Sequence, residues 1–394
     1  MRKRFSWLFL CVVLLLAPTK VLAQGYEVPP VDFTGPLSHP RYEGGGFFTY
    51  LEALYWHENR PIRAQQVAVR GFVDVDGSIS GKEGTFVGSG SEALNTNSLN
   101  GSGSWQPGLN LGIGWRFESG TVLTLNWYHL VDARYSATAS LAPPGLQGGA
   151  GLADTFLFSP VFNFPINYAG NTFNLGGNIG NPGATFGIWN AASLETISYV
   201  QRFDMVDLTM RVPLWQTDNY RSYGLVGPRG ATLYDQFKWR TVDADFQGFS
   251  NNGTIADYRN TTSNRLYGAG LGFGQELYLG DTPIGAFSIS GEALASLYMD
   301  FVKGRAGYEL ADRTTEATRK RNLAAVVPSV DGRVSIHWFP WEAIEIQVGY
   351  DVFAFFNTYA SPQPIDFNYG AIDPNWSPTT RLLHGVRFGI GVVF

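Results

Sequence analysis

Hydrophobic residues in this chain recur at every second position, and the alternation is cleanest at the C-terminus. Leu382, His384, Val386, Phe388, Ile390, Val392 and Phe394 fall on one face of an extended segment, while Gly385, Arg387, Gly389, Gly391 and Val393 fall on the other. The same period runs through 107–118, where Leu109, Leu111, Ile113, Trp115 and Phe117 oppose Asn110, Gly112, Gly114, Arg116 and Glu118. In 46–58, Phe47, Thr49, Leu51, Ala53 and Tyr55 oppose Tyr50, Glu52, Leu54 and Trp56; in 121–134, Leu123, Leu125, Trp127 and Val131 share the apolar face. Segments near 194–212, 220–246, 262–280, 284–302, 324–338 and 342–357 complete, with 381–394, a set of ten.

The connections alternate in length. Short ones fall at 118–120, 213–219, 280–283 and 339–341, and long ones at about 59–106, 135–193, 247–261, 303–323 and 358–380. The pattern implies an all-β fold, an antiparallel transmembrane β-barrel of about ten strands with long extracellular loops and short periplasmic turns. Twelve strands would result if 220–246 bends at Gly227-Pro228. A tight turn at Phe339-Pro340-Trp341 would set Arg333 opposite Gln347 and diagonal to Glu345, making Arg333 and Glu345 an ion pair. Closure requires 381–394 to pair antiparallel with 46–58. Trp115, Phe117, Trp215, Trp338, Phe339 and Trp341 flank short turns, and Tyr55-Trp56, Trp127-Tyr128 and Phe355-Phe356 flank long loops, as two interfacial girdles would.

The N-terminus has a different character. Arg2, Lys3 and Arg4, the apolar run Phe5 to Ala17 and the small-residue site Val21-Leu22-Ala23 read as a signal peptide over 1–23, with a Pro-rich segment over 24–45 and the barrel over 46–394. Loss of Arg2, Lys3, Arg4 and Lys20 lowers the 28 Lys and Arg to 24, against 33 Asp and Glu. Such an acidic balance argues against nucleic acid as a partner. The single cysteine, Cys11, lies in the leader, so neither disulfides nor a thiolate metal site are expected in the remainder. No run of 18 apolar residues follows the leader, so no membrane-spanning helix is expected.

Once the apolar faces are assigned to lipid, the opposite faces carry charges of both signs: Glu52, Arg116, Asp207, Arg211, Glu276, Asp331, Arg333, Glu345, Asp351 and Arg387. Lipid exposure at the midplane costs about 2–4 kcal/mol for an Arg or Lys, which assigns all ten to the lumen. There they either pair and fill it or line a conducting path. Inward glycines at 112, 114, 268, 270, 272, 274, 385, 389 and 391 leave room for a docked plug, drawn from loop 135–193 or from 24–45, or else serve strand coiling. Phe388, Ile390, Val392 and Phe394 form a terminal aromatic and apolar row of the kind that signals barrel assembly, so the expected partners are outer-membrane lipid and the barrel assembly machinery.

Chemical motifs are sparse. Asp74-x-Asp76-Gly77 matches only part of a calcium loop and reads as a turn. An omptin-like protease would need Asp-x-His, which is absent. Ser335-x-His337 is the nearest approach to a lipase-like pair, but i and i+2 positions on a strand stand about 7 Å apart. His39, His57, His129 and His384 show no metal-ligand spacing, and no cofactor is expected.

The signal peptide, the strand pattern, the loop Arg70-Gly71-Phe72-Val73-Asp74-Val75-Asp76-Gly77 and the later Trp115-Arg116-Phe117 together resemble uncharacterised outer-membrane β-barrel proteins of planctomycetes. The resemblance implies a barrel in the cell outer membrane and transfers no catalytic residue. The expected function is a structural or surface barrel or a narrow porin-like channel; the alternative is a barrel enzyme acting on lipid or peptide. The sequence leaves the solute and the oligomeric state open.

Overall fold

The computed structural model describes residues 46–394 apart from 75–76, 78, 102–104, 143–153, 165–186, 218, 244–254, 311–315 and 342; the leader over 1–23, the segment 24–45 and Asp76 lie outside the described residues. Ten strands form the wall: β1 Gly46–Glu58, β2 Trp105–Arg116, β3 Val122–Leu130 continued by Ala133–Ser140, β4 Leu194–Gln216, β5 Tyr220–Val242, β6 Ile255–Thr282, β7 Gly285–Leu310, β8 Glu316–Trp341, β9 Ile344–Ala360 and β10 Ser377–Val393. Each pairs antiparallel with its neighbours, and β10 returns to β1 with a register running from Phe48↔Val393 to Glu58↔Leu383. Closure leaves no strand edge facing hydrocarbon, where an unpaired amide or carbonyl would cost several kcal/mol. Among the described residues no helix is long and apolar enough to cross a membrane.

The strand count is ten because β5 does not bend. Gly227 and Pro228 stay in register with Gly270 and Ala269 of β6. Pro228 faces outward, and its neighbour Gly227 packs directly on the Leu208 carbonyl of β4, an approach that any Cβ would block. β3 is interrupted at 131–132, where its pairing with β4 slips by one residue between His129↔Asp204 and Ala133↔Gln201.

Several expected boundaries change. β8 runs through Phe339, Pro340 and Trp341 and β9 starts at Ile344, so Arg333 stands opposite Asp351 while Gln347 faces His337. The expected Arg333–Glu345 pair is therefore not formed, although both side chains are buried inside the ring. The loops expected over 135–193, 247–261 and 303–323 are also shorter, because β3 reaches Ser140, β6 starts at Ile255, and β7 and β8 are joined by 311–315 alone. A bilayer needs strands of about 9–11 residues, whereas β6 has 28. The surplus projects beyond the apolar band on the long-loop side, where outward positions such as Arg259, Thr261, Ser263 and Arg265 are polar.

Side chains alternate across the wall. Leu51, Leu111, Leu125, Leu271, Val330 and Val386 face lipid, while Phe48, Leu54, Trp56 and Leu130 are buried within the ring. Adjacent aromatics consequently split: Tyr55, Trp127 and Phe356 join the outer girdle, but Trp56, Tyr128 and Phe355 point inward, as does Phe339 at the other end. The inward glycines seat rings from the paired strand. A Cβ at Gly112 would overlap the Tyr50 ring, and one at Gly274 the Tyr223 ring.

Phe388, Ile390 and Phe394 are exposed on the lipid face of β10 and Val392 is half-buried, with the Phe394 ring 5.7 Å from Phe47 of β1. The role in assembly expected of this row rests on its apolar face lying beside an edge that is free until closure. Replacing Phe388 and Phe394 by Asp is expected to abolish insertion. Fractionation with heat-modifiable gel migration checks it, and a heat-modifiable outer-membrane band from the double variant would contradict the role of the row.

Candidate functional site

The lumen is the site in which charge collects. Glu52, Asp207, Glu276, Asp331, Arg333, Glu345, Asp351 and Arg387 are buried inside the ring, Arg211 is half-buried, and Arg116 lies half-buried at the end of β2. The structure brings most of them into one network. Arg387 reaches Glu52 at 3.3 Å across the β10–β1 seam and Asp351 at 3.5 Å. Arg333 lies 3.5 Å from Asp207 and 3.8 Å from Glu292, with its guanidinium 5.4 Å from the centres of both the Tyr128 and Phe353 rings. Arg211 binds Glu292 at 3.1 Å and donates to Thr124 at 2.9 Å.

Several members were not singled out from the sequence. Arg229 pairs with Asp331 and lies 3.8 Å from Asp207, Arg221 holds Glu276 at 2.6 Å, and Arg381 pairs with Asp235 and sits 3.3 Å from Glu58. The signal existed: Arg229 shares inward parity with Ala231 and Leu233, Glu292 with Leu294, and Arg381 with Leu383, Gly385 and Arg387.

Three layers follow along the axis. The polar network occupies the half nearer the short turns. Above it an apolar slab, including Trp56, Tyr128, Phe203, Leu233, Tyr298, Phe353 and Phe355, crosses the barrel. Beyond the Arg381 group, loop residues Ile188, Trp189, Ile365 and Trp376 pack against Trp239, Tyr258 and Tyr308 of the wall, with the Trp189 and Trp239 rings 4.4 Å apart. Parts of loop 135–193 thus enter the mouth, while the glycine-lined half is filled by wall side chains. Asp74 accepts the Ile79 and Ser80 amides, capping a turn. Among the described residues no group of three or more metal-ligating side chains forms.

Glu195 anchors this cap. It lies on β4, eleven residues before the lipid-facing Val206, and accepts Trp239 Nε1–H at 2.9 Å with Ser159 Oγ at 2.9 and 3.0 Å. Burial without a cation pushes its carboxyl up to about 8, only partly offset by these hydrogen bonds. Ser159 Oγ also lies 2.9 Å from the Val67 carbonyl, so the Glu195 carboxyl is tied through it to the first long loop.

Nearer the short turns, His337 lies between a carboxylate and a hydroxyl. Its Nδ1 is 2.5 Å from Glu345 Oε1 and its Nε2 is 2.7 Å from Ser290 Oγ. Ser335, the nearest serine to His337 along the sequence, is tied to Arg387. Ser290, His337, Ser335 and Arg387 line a cavity of about 50 Å³, room for a few waters.

A family model described as the Legionella pneumophila major outer membrane protein precursor matches residues 44–375. The chain belongs to this outer-membrane protein family. It is accordingly an outer-membrane β-barrel protein. Among curated proteins no match was found. The outer membrane protease OmpT from Escherichia coli is similar at a TM-score of 0.41 and 10% identity, over 89% of this chain and 97% of that one. A major outer membrane protein from Thermus thermophilus gives 0.25 and 12%, over 89% and 99%. The TodX monoaromatic hydrocarbon channel gives 0.23 and 6%, over 91% and 93%.

Removing Arg333 would leave Asp207 and Glu292 short of a buried cation. Arg333→Ala is expected to destabilise the barrel by about 3–5 kcal/mol in urea titrations, whereas Arg134→Ala, which breaks an exposed pair with Asp132, should shift stability by less than about 1 kcal/mol. A second outcome concerns pH. Because the folded pKa of Glu195 lies above its unfolded value, the stability it gives the cap is complete below about pH 4.5 and is lost as pH rises through about 8. Hydrogen exchange around 157–162 should quicken between pH 6 and 9, and Glu195→Gln should remove that dependence.

Proposed function

We propose that this protein is a stoppered outer-membrane barrel, a structural and surface-exposed element whose porin-like wall does not pass solute in its resting form. The observation that carries this reading is the apolar slab around Trp56, Phe203 and Phe353, which crosses the lumen between the ion network and the cap. A lumen wide enough for steady conduction would keep a continuous wet path; here the described space beside the network holds only a few waters. The kinship with planctomycete barrels, carried by the Arg70–Gly77 loop and Trp115-Arg116-Phe117, belongs to the same reading. Cleavage of lipid or peptide does not: the mouth is occupied by aromatic rings, and Ser335 is held by Arg387.

Refolded protein in planar bilayers tests the stopper. Wild type is expected to stay silent, and Trp56→Ala with Phe353→Ala, which thins the slab, is expected to open resolvable steps. Steady unitary conductance from the wild type would replace this reading with that of a narrow channel.

A further inference from the structure

The Ser290–His337–Glu345 chain has the geometry of an activated nucleophile. The three residues come from β7, β8 and β9, far apart in sequence, and meet only through strand register: Ser290 stands directly opposite Ser335, two places along β8 from His337. With Nδ1–H of His337 donated to Glu345, Nε2 is left to accept the Ser290 O–H, the tautomer that general-base activation needs. Both distances lie in or near the range for proton transfer between a nucleophile, its base and the group that orients the base. The assignment does not depend on the lumen being stoppered.

Two further features make the place suited to chemistry. Ser290 is half-buried and lines the small cavity, so its Oγ meets free space on one side. Arg387 crosses to Ser335 over Gly349, where a Cβ would come within 2.7 Å of Arg387 Nε. A guanidinium is thereby fixed beside the residue facing Ser290, where negative charge on an attacked carbonyl oxygen would develop.

We propose that Ser290 is a nucleophile toward short acyl esters reaching the barrel from the short-turn end, with His337 as general base and Glu345 as its positioning residue. Ser290 Oγ bonds to the acyl carbon as its proton passes to His337 Nε2. The ester C–O bond then breaks, and the leaving alkoxide takes that proton. Water, activated by the same His337, attacks the acyl-serine and releases the carboxylic acid and free Ser290. The space beside Ser290, about 50 Å³, matches an acetyl-sized group.

The test uses the refolded full chain, a small fluorophosphonate and 4-nitrophenyl acetate. On the phosphonate, the Oγ–P bond forms, the P–F bond breaks, fluoride leaves and His337 takes the serine proton. Intact-mass and peptide analysis should show one adduct, on Ser290, and none in Ser290→Ala. His337→Gln should slow labelling and acetate release at least a hundredfold while heat-modifiable migration is retained. Glu345→Gln should also slow both, and Glu345→Asp should recover part of the rate, which a purely structural carboxylate would not produce. An adduct on another residue, equal labelling of Ser290→Ala, or an unlabelled wild type after prolonged exposure overturns the proposal. None of these outcomes bears on conductance, so a failure here and a failure of the stopper reading are told apart.

Discussion

The structure depends on the absence of water in the hydrocarbon layer. Backbone groups there find partners only on neighbouring strands, so the wall closes, and β10 pairs with β1 from Leu383 to Val393. Closure divides the side chains, since a period of two sends every second residue inward whatever its chemistry. The charges on that face cannot leave, because turning one into lipid costs about 2–4 kcal/mol for an Arg or Lys. A ten-stranded ring is only slightly wider than the eight-stranded kind that side chains fill. The inward charges therefore meet one another, and Arg387 meets Glu52 across the seam itself.

Buried pairs of this sort contribute little net stability against an apolar filling of equal volume, because desolvation offsets most of the attraction. Their larger effect is on register. A slip of one residue in β4, β7 or β8 would exchange that strand's faces and send Asp207, Glu292 or Arg333 into lipid. A slip of two would keep the faces but separate Arg333 from Asp207 and from the Tyr128 and Phe353 rings around it. The network thus excludes alternative pairings that the repetitive Gly-rich pattern of β6 and β10 would otherwise tolerate.

The strand count, the seam and the inward or outward sense of residues such as Glu52 and Leu111 were legible because the two-residue period encodes them directly. What failed depends on information outside that period. The β8–β9 register needed the turn, and Phe339-Pro340-Trp341 looks like one although strand pairing continues to Trp341. The upper parts of β6, β7 and β8 resemble loop because, beyond the bilayer, the outward face is polar and the inward face mixes Tyr258, Ala306 and Tyr308 with polar residues, so the alternation fades. Arg229 was missed because Gly227-Pro228 suggested a bend and left the parity of β5 unassigned. The Ser290–His337–Glu345 chain was beyond reach for a similar reason, as its members join only when three strands are in register.

The slab of Trp56, Phe203 and Phe353 separates two environments that the sequence does not distinguish. On the surface side, ordering depends on aromatic packing and on a carboxyl, Glu195, that is most comfortable neutral. On the other side, ordering depends on charges that must stay ionised to hold their partners. Conditions that weaken one therefore need not weaken the other: salt screens exposed pairs far more than buried ones, and alkali acts first on Glu195. Because the lumen charges are of mixed sign and close-paired, their field falls off quickly and gives a passing ion no consistent preference. Polar residues in this lumen consequently act on their nearest neighbours, which is the circumstance in which a histidine between a serine and a carboxylate is held in one orientation.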